Sequence, residues 1–248
     1  MPERRIDVLM VPGEVQAAEL TGRTAVVIDV LRASTTIVEA LSAGARAVYP
    51  VASVEEALRL AHTLGRSEVL LCGERRCLPI EGFDLGNSPA EFSADTVAGK
   101  TLVMSTTNGT AAMVAAQSAD RVVIAAFTNL AAAAEELADT EPVLICSGRE
   151  GRFGLEDAVC AGRLVEYLLD AAGTSWTLND GARAALALSH AETDLRALFA
   201  GTAAGARIIE AGLEADLDLC AREDVHEAVP VLHDRQITLP TAVVPEVS

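Results

Sequence analysis

The chain has 248 residues, of which 50% are hydrophobic and only 3% aromatic, and its formal net charge is −17 at pH 7. This length suffices for one large domain or two small ones, with a core built from Ala, Val, Leu and Ile. The negative charge argues against a general nucleic-acid surface and against binding to anionic membranes. We therefore expect no nucleic-acid or membrane partner, and any anionic ligand must be attracted locally by arginines in a cleft.

The N-terminus and the cysteines bear on location and redox state. Residues 1–7 are charged, and no apolar run of the length needed to span a membrane follows. The five cysteines are scattered without CxxC spacing, which predicts neither a zinc site nor a disulfide framework. We expect a soluble, cytoplasmic protein.

The first informative stretch reads VVIDVLRASTT over residues 26–36. Asp29 ends an apolar, β-branched strand, and Ser34 or Thr35 is a candidate N-cap for a helix over 35–43. Backbone N–H groups at a helix start, next to Arg32 and several hydroxyls, form an anion site. Asp29 is placed to hold a metal or to act as nucleophile or base.

Strands and helices alternate along most of the chain. This alternation predicts a three-layer α/β/α fold around a mainly parallel sheet. Strands are expected near 6–11, 25–30, 47–51, 69–72, 101–104, 121–125, 143–146 and 235–239. Helices are expected near 35–43, 54–64, 110–117, 130–137 and 155–172, and across much of 179–224.

The strand–helix pattern occurs twice. Aligning the two occurrences places Asp29 over Ser105 and Cys72 over Cys146. We interpret this as an internal duplication within a single α/β unit spanning the chain. The predicted divisions are similar halves of about 20–95 and 96–172 and a mostly helical C-terminal part at 173–248. In that part we expect Asp216, Asp218 and His226 to be solvated residues on helix faces.

Four polar loops directly follow predicted strands. Ligands of parallel α/β sheets bind beyond the carboxyl ends of the strands, so we expect these loops on one edge. Clustered arginines favour a small polyanion, and several carboxylates favour Mg²⁺, so phosphoryl transfer is predicted. The loops supply the carboxylates Asp29, Glu74, Asp84, Glu150 and Asp157, the arginines Arg32, Arg75, Arg76, Arg149 and Arg152, and the polar residues Ser34, Thr35, Thr36, Asn87, Ser105, Thr106, Thr107, Asn108, Thr110 and Ser147.

Known phosphoryl-transfer signatures leave alternatives open. The chain has no GxxxxGK[ST] loop, and Leu31 stands where a DxDx aspartyl-phosphate enzyme has its second Asp. Cys146 and Arg152 have the C-x5-R spacing of a metal-independent cysteine phosphatase, although Glu150 inside that loop would repel phosphate. A non-catalytic module that binds anionic metabolites is a further alternative.

Four segments in order resemble the 2-phosphosulfolactate phosphatase family. They are VVIDVLRASTTI, GERRCLPIEGFDLGNSPAEF, STTNGT and CSGREGRFGLEDAVCAG, between about Val26 and Gly162. The resemblance implies an α/β fold of two similar halves and Mg²⁺-dependent hydrolysis of 2-phospho-3-sulfolactate to sulfolactate and phosphate. This step belongs to coenzyme M biosynthesis. Hydrolysis of another small 2-phospho acid stays open.

The loop residues and the resemblance together lead to a hypothesis for the site. Mg²⁺ binds Asp29 and a phosphate oxygen, arginines neutralise developing charge, and a metal-activated water attacks with Glu150 or Asp157 as base. A covalent phospho-Asp29 route stays open, as does a homodimer formed through the alanine-rich tail. The expected catalytic residues are Asp29, Arg32, Glu74, Arg149 and Glu150. The expected metal ligands are Asp29, Glu74, Asp84 and Asp157. The expected substrate-binding residues are Ser34, Thr35, Thr36, Arg75, Asn87, Ser105, Thr106, Thr107, Asn108, Thr110 and Ser147.

Overall fold

The computed structural model of the chain describes residues 3–107, 109–171 and 175–240. Within these ranges, eleven strands form one sheet. The strands are β1 (Glu3–Leu9), β2 (Thr24–Ile28), β3 (Ala47–Pro50), β4 (Val69–Arg75), β5 (Leu78–Pro79), β6 (Thr101–Ser105), β7 (Arg121–Ala125), β8 (Pro142–Cys146), β9 (Ser175–Leu178), β10 (Val231–His233) and β11 (Gln236–Thr238). The α-helices are α1 (Ala17–Leu20), α2 (Ala33–Ser42), α3 (Val54–Leu64), α4 (Ala94–Val97), α5 (Gly109–Ala115), α6 (Leu130–Leu137), α7 (Leu155–Asp170), α8 (Asp180–Ala191), α9 (Leu195–Gly201), α10 (Ala203–Glu210) and α11 (Ala215–Cys220).

Helices cover both faces of the sheet, which confirms the predicted α/β/α architecture. Strand β2 shows why its sequence is apolar throughout. Ala25 and Val27 pack in one core with α2 and α5, whereas Val26 and Ile28 pack in a second core with α6, α7 and α8. At the other end of the sheet, α3 covers β4 and β6. A strand buried on both faces has no polar positions to alternate with apolar ones.

The chain contains two β–α–β–α–β runs, from β2 to β4 and from β6 to β8, and their strands are interleaved in the sheet. The order is β5-β4-β6-β3-β11-β10-β7-β2-β8-β1-β9. Strand β2 of the first run therefore lies between β7 and β8 of the second, and β6 of the second lies between β3 and β4 of the first. Ile28 pairs with Ala125 and Cys146, and Met104 pairs in the same way with Pro50 and Cys72. The two runs have equivalent pairings, and their origin by duplication stays a prediction.

Most neighbouring strands are parallel, but the strands in one half of the sheet run opposite to those in the other half. The hairpin β10–β11 joins β7 to β3 through three consecutive antiparallel pairings. The expectation that a single parallel edge collects all four polar loops is therefore wrong. Sheets rotate by about 20 to 25° at each strand pair, and five pairings separate β2 from β6. This rotation allows loops from both ends to reach one cleft.

Within residues 175–240, the C-terminal part contains four α-helices, α8 to α11, and also three strands. The last strand was expected and is β11, whereas its antiparallel partner β10, which has the same length of three residues, was not expected. Helix α2 begins at Ala33 with Arg32 at its N-cap, so the expected capping by Ser34 or Thr35 is wrong. In the part of the chain that the structure describes, no helix combines the length and apolarity needed to cross a bilayer.

Candidate active site

A cleft of about 400 Å³ lies where the loops after β2, β4, β6 and β8 meet helix α10. Eight of the residues expected from the sequence line it: Asp29, Arg32, Glu74, Asn87, Thr106, Thr107, Arg149 and Glu150. Five further residues complete its walls: Leu31, Arg76, Cys77, Ala204 and Arg207. The cleft thus gathers carboxylates, guanidinium groups and polar side chains around a space suited to a small anionic ligand.

Asp29 lies at the end of β2 on the floor of the cleft. Its backbone N–H donates to Ser34 Oγ (2.9 Å), and its Oδ1 accepts from the Ala33 N–H (3.2 Å). Burial raises the pKa of Asp29 to about 7, and the nearby Glu74 carboxylate adds to the rise. The Ala33 hydrogen bond and the Arg32 charge act in the opposite direction. The carboxyl group is therefore balanced between its two protonation states near neutral pH.

Glu74 is the second carboxylate of the floor and joins two loops. Its Oε2 accepts from the Cys77 N–H (2.7 Å), and its Oε1 accepts from the Thr107 N–H (2.8 Å). The preceding Gly73 has φ +143°, and a Cβ there would lie 2.1 Å from the Ser105 carbonyl oxygen. Only glycine allows this approach of β4 and β6, which places Glu74 at the cleft.

Arg32 reaches the cleft from the start of α2 and forms a buried ion pair with Asp216 of α11. Asp216 Oδ1 also accepts a hydrogen bond from Ser88 Oγ (2.6 Å). The expectation that Asp216 is solvated is wrong, because α11 turns this residue inward together with Leu217 and Cys220. The C-terminal helices thus hold an arginine of the site in place.

A β-hairpin with a two-residue turn carries Arg149 and Glu150 to the mouth of the cleft. Arg149 and Arg152 exchange backbone hydrogen bonds of 2.8 and 2.9 Å. Glu150 and Gly151 both have positive φ (+52° and +72°), as a type I′ turn requires. The Arg149 guanidinium lies 3.8 Å from the Glu150 carboxylate, so both charges lie close together at the entrance.

The hydroxyl groups at the start of α2 point into the protein, so their expected contact with a ligand is wrong. Ser34 Oγ donates to the Val27 carbonyl (3.3 Å) and Thr35 Oγ1 to the Val30 carbonyl (2.9 Å). Thr36 Oγ1 donates to the backbone carbonyl of Asn87 (3.1 Å). All three side chains are buried. They stabilise the strand-to-helix connection that positions Asp29.

Other expected contacts also lie outside the cleft or outside the described residues. Arg75 Nη2 donates to Ser105 Oγ (2.8 Å), which joins β4 to β6. Thr110 Oγ1 donates to the Val51 carbonyl (3.4 Å), and Thr110 does not line the cleft. Ser147 is buried, and within the described part of the chain its Oγ has no hydrogen-bond partner. Asn108 lies outside the described residues.

Two of the four expected metal ligands lie outside the cleft. Asp84 forms an ion pair with Arg66 (2.8 Å) and accepts from the Leu71 N–H (2.7 Å). Asp157 is buried, and its two oxygens accept from the backbone N–H groups of Val30 (2.8 Å) and Gly148 (2.9 Å). Among residues 3–107, 109–171 and 175–240, no group of three or more His, Cys, Asp or Glu side chains is arranged to hold a metal ion.

Cys146 does not have the surroundings of a nucleophile. It is completely buried in the core between the sheet and helices α6 to α8. Burial raises its pKa well above the usual value, and the Asp157 carboxylate raises it further. A reactive cysteine needs an exposed thiolate with a lowered pKa. The cysteine-phosphatase alternative is therefore wrong, because Cys146 cannot act as its nucleophile.

Sequence reasoning missed the contribution of α10. Ala204 and Arg207 lie one helical turn apart and line the cleft from outside the sheet. Nothing in the local pattern distinguishes Arg207 from the other arginines of the C-terminal part. Arg76 was among the loop arginines noted in the sequence. Leu31 and Cys77 have no sequence feature that marks them as residues of the cleft.

The fold and the cleft define an α/β protein in which arginines and carboxylates from several loops and one helix line a single cleft. The chain matches the family described as 2-phosphosulpholactate phosphatase over residues 9–235, and it belongs to that family. Proteins of Thermotoga petrophila, Deinococcus radiodurans and Thermus thermophilus, each named probable 2-phosphosulfolactate phosphatase, are 42%, 43% and 43% identical to it. The matches cover 92%, 84% and 93% of this chain and 95%, 87% and 95% of those proteins.

Proposed function

We propose that the protein hydrolyses 2-phospho-3-sulfolactate to 3-sulfolactate and phosphate and that it requires Mg²⁺. The observation that carries this proposal is the cleft itself, with carboxylates Asp29 and Glu74 on its floor and four arginines along its walls. The substrate bears a phosphate, a carboxylate and a sulfonate, and several guanidinium groups are suited to these three anionic groups. Family membership supports the same activity.

The donor set fits a magnesium ion bound together with substrate. Mg²⁺ is usually held by one or two carboxylates, water and phosphate oxygens. Asp29 and Glu74 provide the carboxylates, and Asn87 lines the same cleft with its buried Oδ1, which has no hydrogen-bond partner within the described ranges. We assign these three residues to the ion. When bound, it would neutralise phosphate charge and activate a water molecule.

The arginines and the acid at the mouth have separate roles in this proposal. Arg32 and Arg149 bind phosphate oxygens and stabilise the charge that develops on the transferred group. Of the two acids considered as the base, Glu150 lines the cleft, whereas both Asp157 oxygens accept backbone N–H groups. Glu150 is therefore the proposed base, and attack by Asp29 itself is the alternative route.

The pathway and the location are part of the same proposal. We propose that the reaction belongs to a sequence of the coenzyme M biosynthesis type and that it takes place in the cytoplasm. Activity only on a 2-phospho acid that lacks the sulfonate would support the proposed hydrolysis but contradict the assignment to this pathway. A homodimer stays a prediction.

Phosphate release tests the proposal directly. The purified protein is assayed with 2-phosphosulfolactate, 2-phospholactate and an aryl phosphate, each with Mg²⁺ and with EDTA. We expect Mg²⁺-dependent turnover that is fastest with the sulfonate substrate. Asp29→Asn should reduce this turnover at least about 100-fold, whereas the buried Cys146→Ala control should retain it. Undiminished turnover in EDTA would contradict the proposal, and so would a lack of turnover with all three compounds in the presence of Mg²⁺.

A further inference from the structure

Helix α10 presents Arg207 to the cleft from a rigid support. Thr202 Oγ1 caps the helix by accepting from the Gly205 N–H (3.0 Å). A Cβ on Gly205 would lie 1.8 Å from the Phe199 carbonyl oxygen, so only glycine permits this close packing on α9. Ile208 is buried beneath the helix. The backbone that carries Arg207 is therefore fixed relative to the site.

The guanidinium group of Arg207 is available to a ligand at little cost. Its ion pair with Glu210, one turn further along α10, has a distance of 3.3 Å, and the two side chains are 59% and 67% exposed. Such exposed pairs are weak because water screens the charges. Arg32, in contrast, keeps Nη1 in a buried ion pair with Asp216, so it can contact a ligand only with its other N–H groups. Arg207 can therefore change partner without leaving a charge buried and unpaired.

Burial divides the cleft into a floor that holds two carboxylates and Arg32 and a rim that holds three arginines together with Glu150. Asp29 and Glu74 are buried, whereas Arg149 is partly exposed and Arg207 is exposed. Arg207 also comes from a helix after the two β–α–β–α–β runs, whereas Arg149 comes from a loop after a strand. A phosphate held at the floor leaves the rest of a small substrate directed toward this rim.

We infer that Arg207 binds the sulfonate of the substrate and determines selectivity for sulfonated over unsulfonated 2-phospho acids. This inference rests on the proposed function and deepens it. A sulfonate presents three oxygens around sulfur and keeps its charge at physiological pH. The planar guanidinium can donate two parallel N–H bonds to two of these oxygens, a geometry that lysine cannot reproduce.

The test compares kcat/KM for 2-phosphosulfolactate and 2-phospholactate in the presence of Mg²⁺. We expect Arg207→Ala to lower the ratio of these two values about 10- to 100-fold, the loss typical of a charge-assisted contact. Arg207→Lys should recover part of the ratio. The matched control is Arg196→Ala on α9, an arginine paired with Glu214 and Asp218 at the surface, which should leave the ratio unchanged.

Two results would overturn the inference while the proposed function stands. One is an unchanged ratio in Arg207→Ala with an active wild type. The other is an equal or larger fall in Arg76→Ala, which would assign the sulfonate to Arg76 in the loop after β4 instead. Failure of wild-type turnover would overturn the proposed function instead. Calorimetric binding of 3-sulfolactate then tests Arg207 independently, and equal affinity of wild type and Arg207→Ala would contradict its role.

Discussion

Arg32 and Asp216 form an ion pair although 184 positions separate them in the sequence. Their side chains are only 2% and 3% exposed. The pair connects the loop after β2 with helix α11, and the Ser88 hydroxyl completes the surroundings of Asp216. The C-terminal helices are therefore part of the site's construction, because they determine where a cleft arginine points.

Removing the acid of this pair should reduce both stability and activity. In Asp216→Asn, Arg32 remains buried without a countercharge, and breaking such a pair costs about 3 to 5 kcal/mol. We expect a fall of that order in the free energy of unfolding, measured by urea denaturation, and at least a tenfold fall in kcat/KM. Asp218→Asn on the same helix is the control, since Asp218 is 67% exposed. Equal stability of the two variants would refute a structural role for the pair.

The raised pKa of Asp29 predicts a specific dependence of stability on pH. The folded protein retains the Asp29 proton up to about pH 7, whereas the unfolded chain loses it near 3.8. Without metal, the Asp29 contribution is therefore full below about pH 4, declines as the pH rises to about 7 and is constant above it. Urea denaturation in EDTA at pH 5 and pH 8 measures this loss.

Asp29→Asn provides the comparison, because it has no proton to lose. We expect the variant to lose less free energy of unfolding than the wild type between pH 5 and pH 8. The buried Glu156 and Asp157, whose pKa values burial also raises, remain in both proteins. Because the Asp29 charge itself raises the pKa of Asp157, the difference between the two proteins reports Asp29 together with this repulsion. Identical pH dependence in the two proteins would show that the Asp29 carboxyl group does not retain its proton on folding.

The fold was predictable from the sequence where long apolar runs determine it. Strand β2 is buried on both faces, so its composition is unambiguous. Strand β11 was expected, but its three-residue partner β10 was not, and the hairpin they form reverses the direction of half the sheet. Strand direction across the whole sheet therefore depends on a segment whose local sequence carries little information.

The candidate site was predictable in part. Asp29, Glu74 and Arg149 were found because polar residues directly after apolar strands lie at sheet edges. The hydroxyls at 34–36 were misinterpreted, since their polarity in the sequence does not reveal that backbone carbonyls satisfy them. Arg207 and Asp216 were missed, because only tertiary packing brings the C-terminal helices to the cleft.

The cysteines should differ sharply in reactivity. Cys77 lines the cleft and is partly exposed, whereas the four others are buried. Burial raises the pKa of Cys220 to about 12 and raises that of Cys146 well above its usual value. A disulfide reagent applied to the native protein should therefore titrate one thiol per chain. Cys77→Ser should abolish this reaction, and rapid modification of Cys146 would contradict the structure.

Substitution of Glu150 separates its backbone role from the role of its carboxylate. Asn is favoured over Glu at positive φ before Gly in a type I′ turn, so Glu150→Asn should raise the free energy of unfolding by about 1 kcal/mol. If the carboxylate is the base, the same variant should lose turnover on the order of 100-fold or more. Glu150→Gln should lose turnover equally without the gain in stability. Gly151→Ala should instead destabilise the hairpin, because Gly151 has φ +72°. Full turnover in a more stable Glu150→Asn protein would show that Glu150 shapes the mouth of the cleft and transfers no proton.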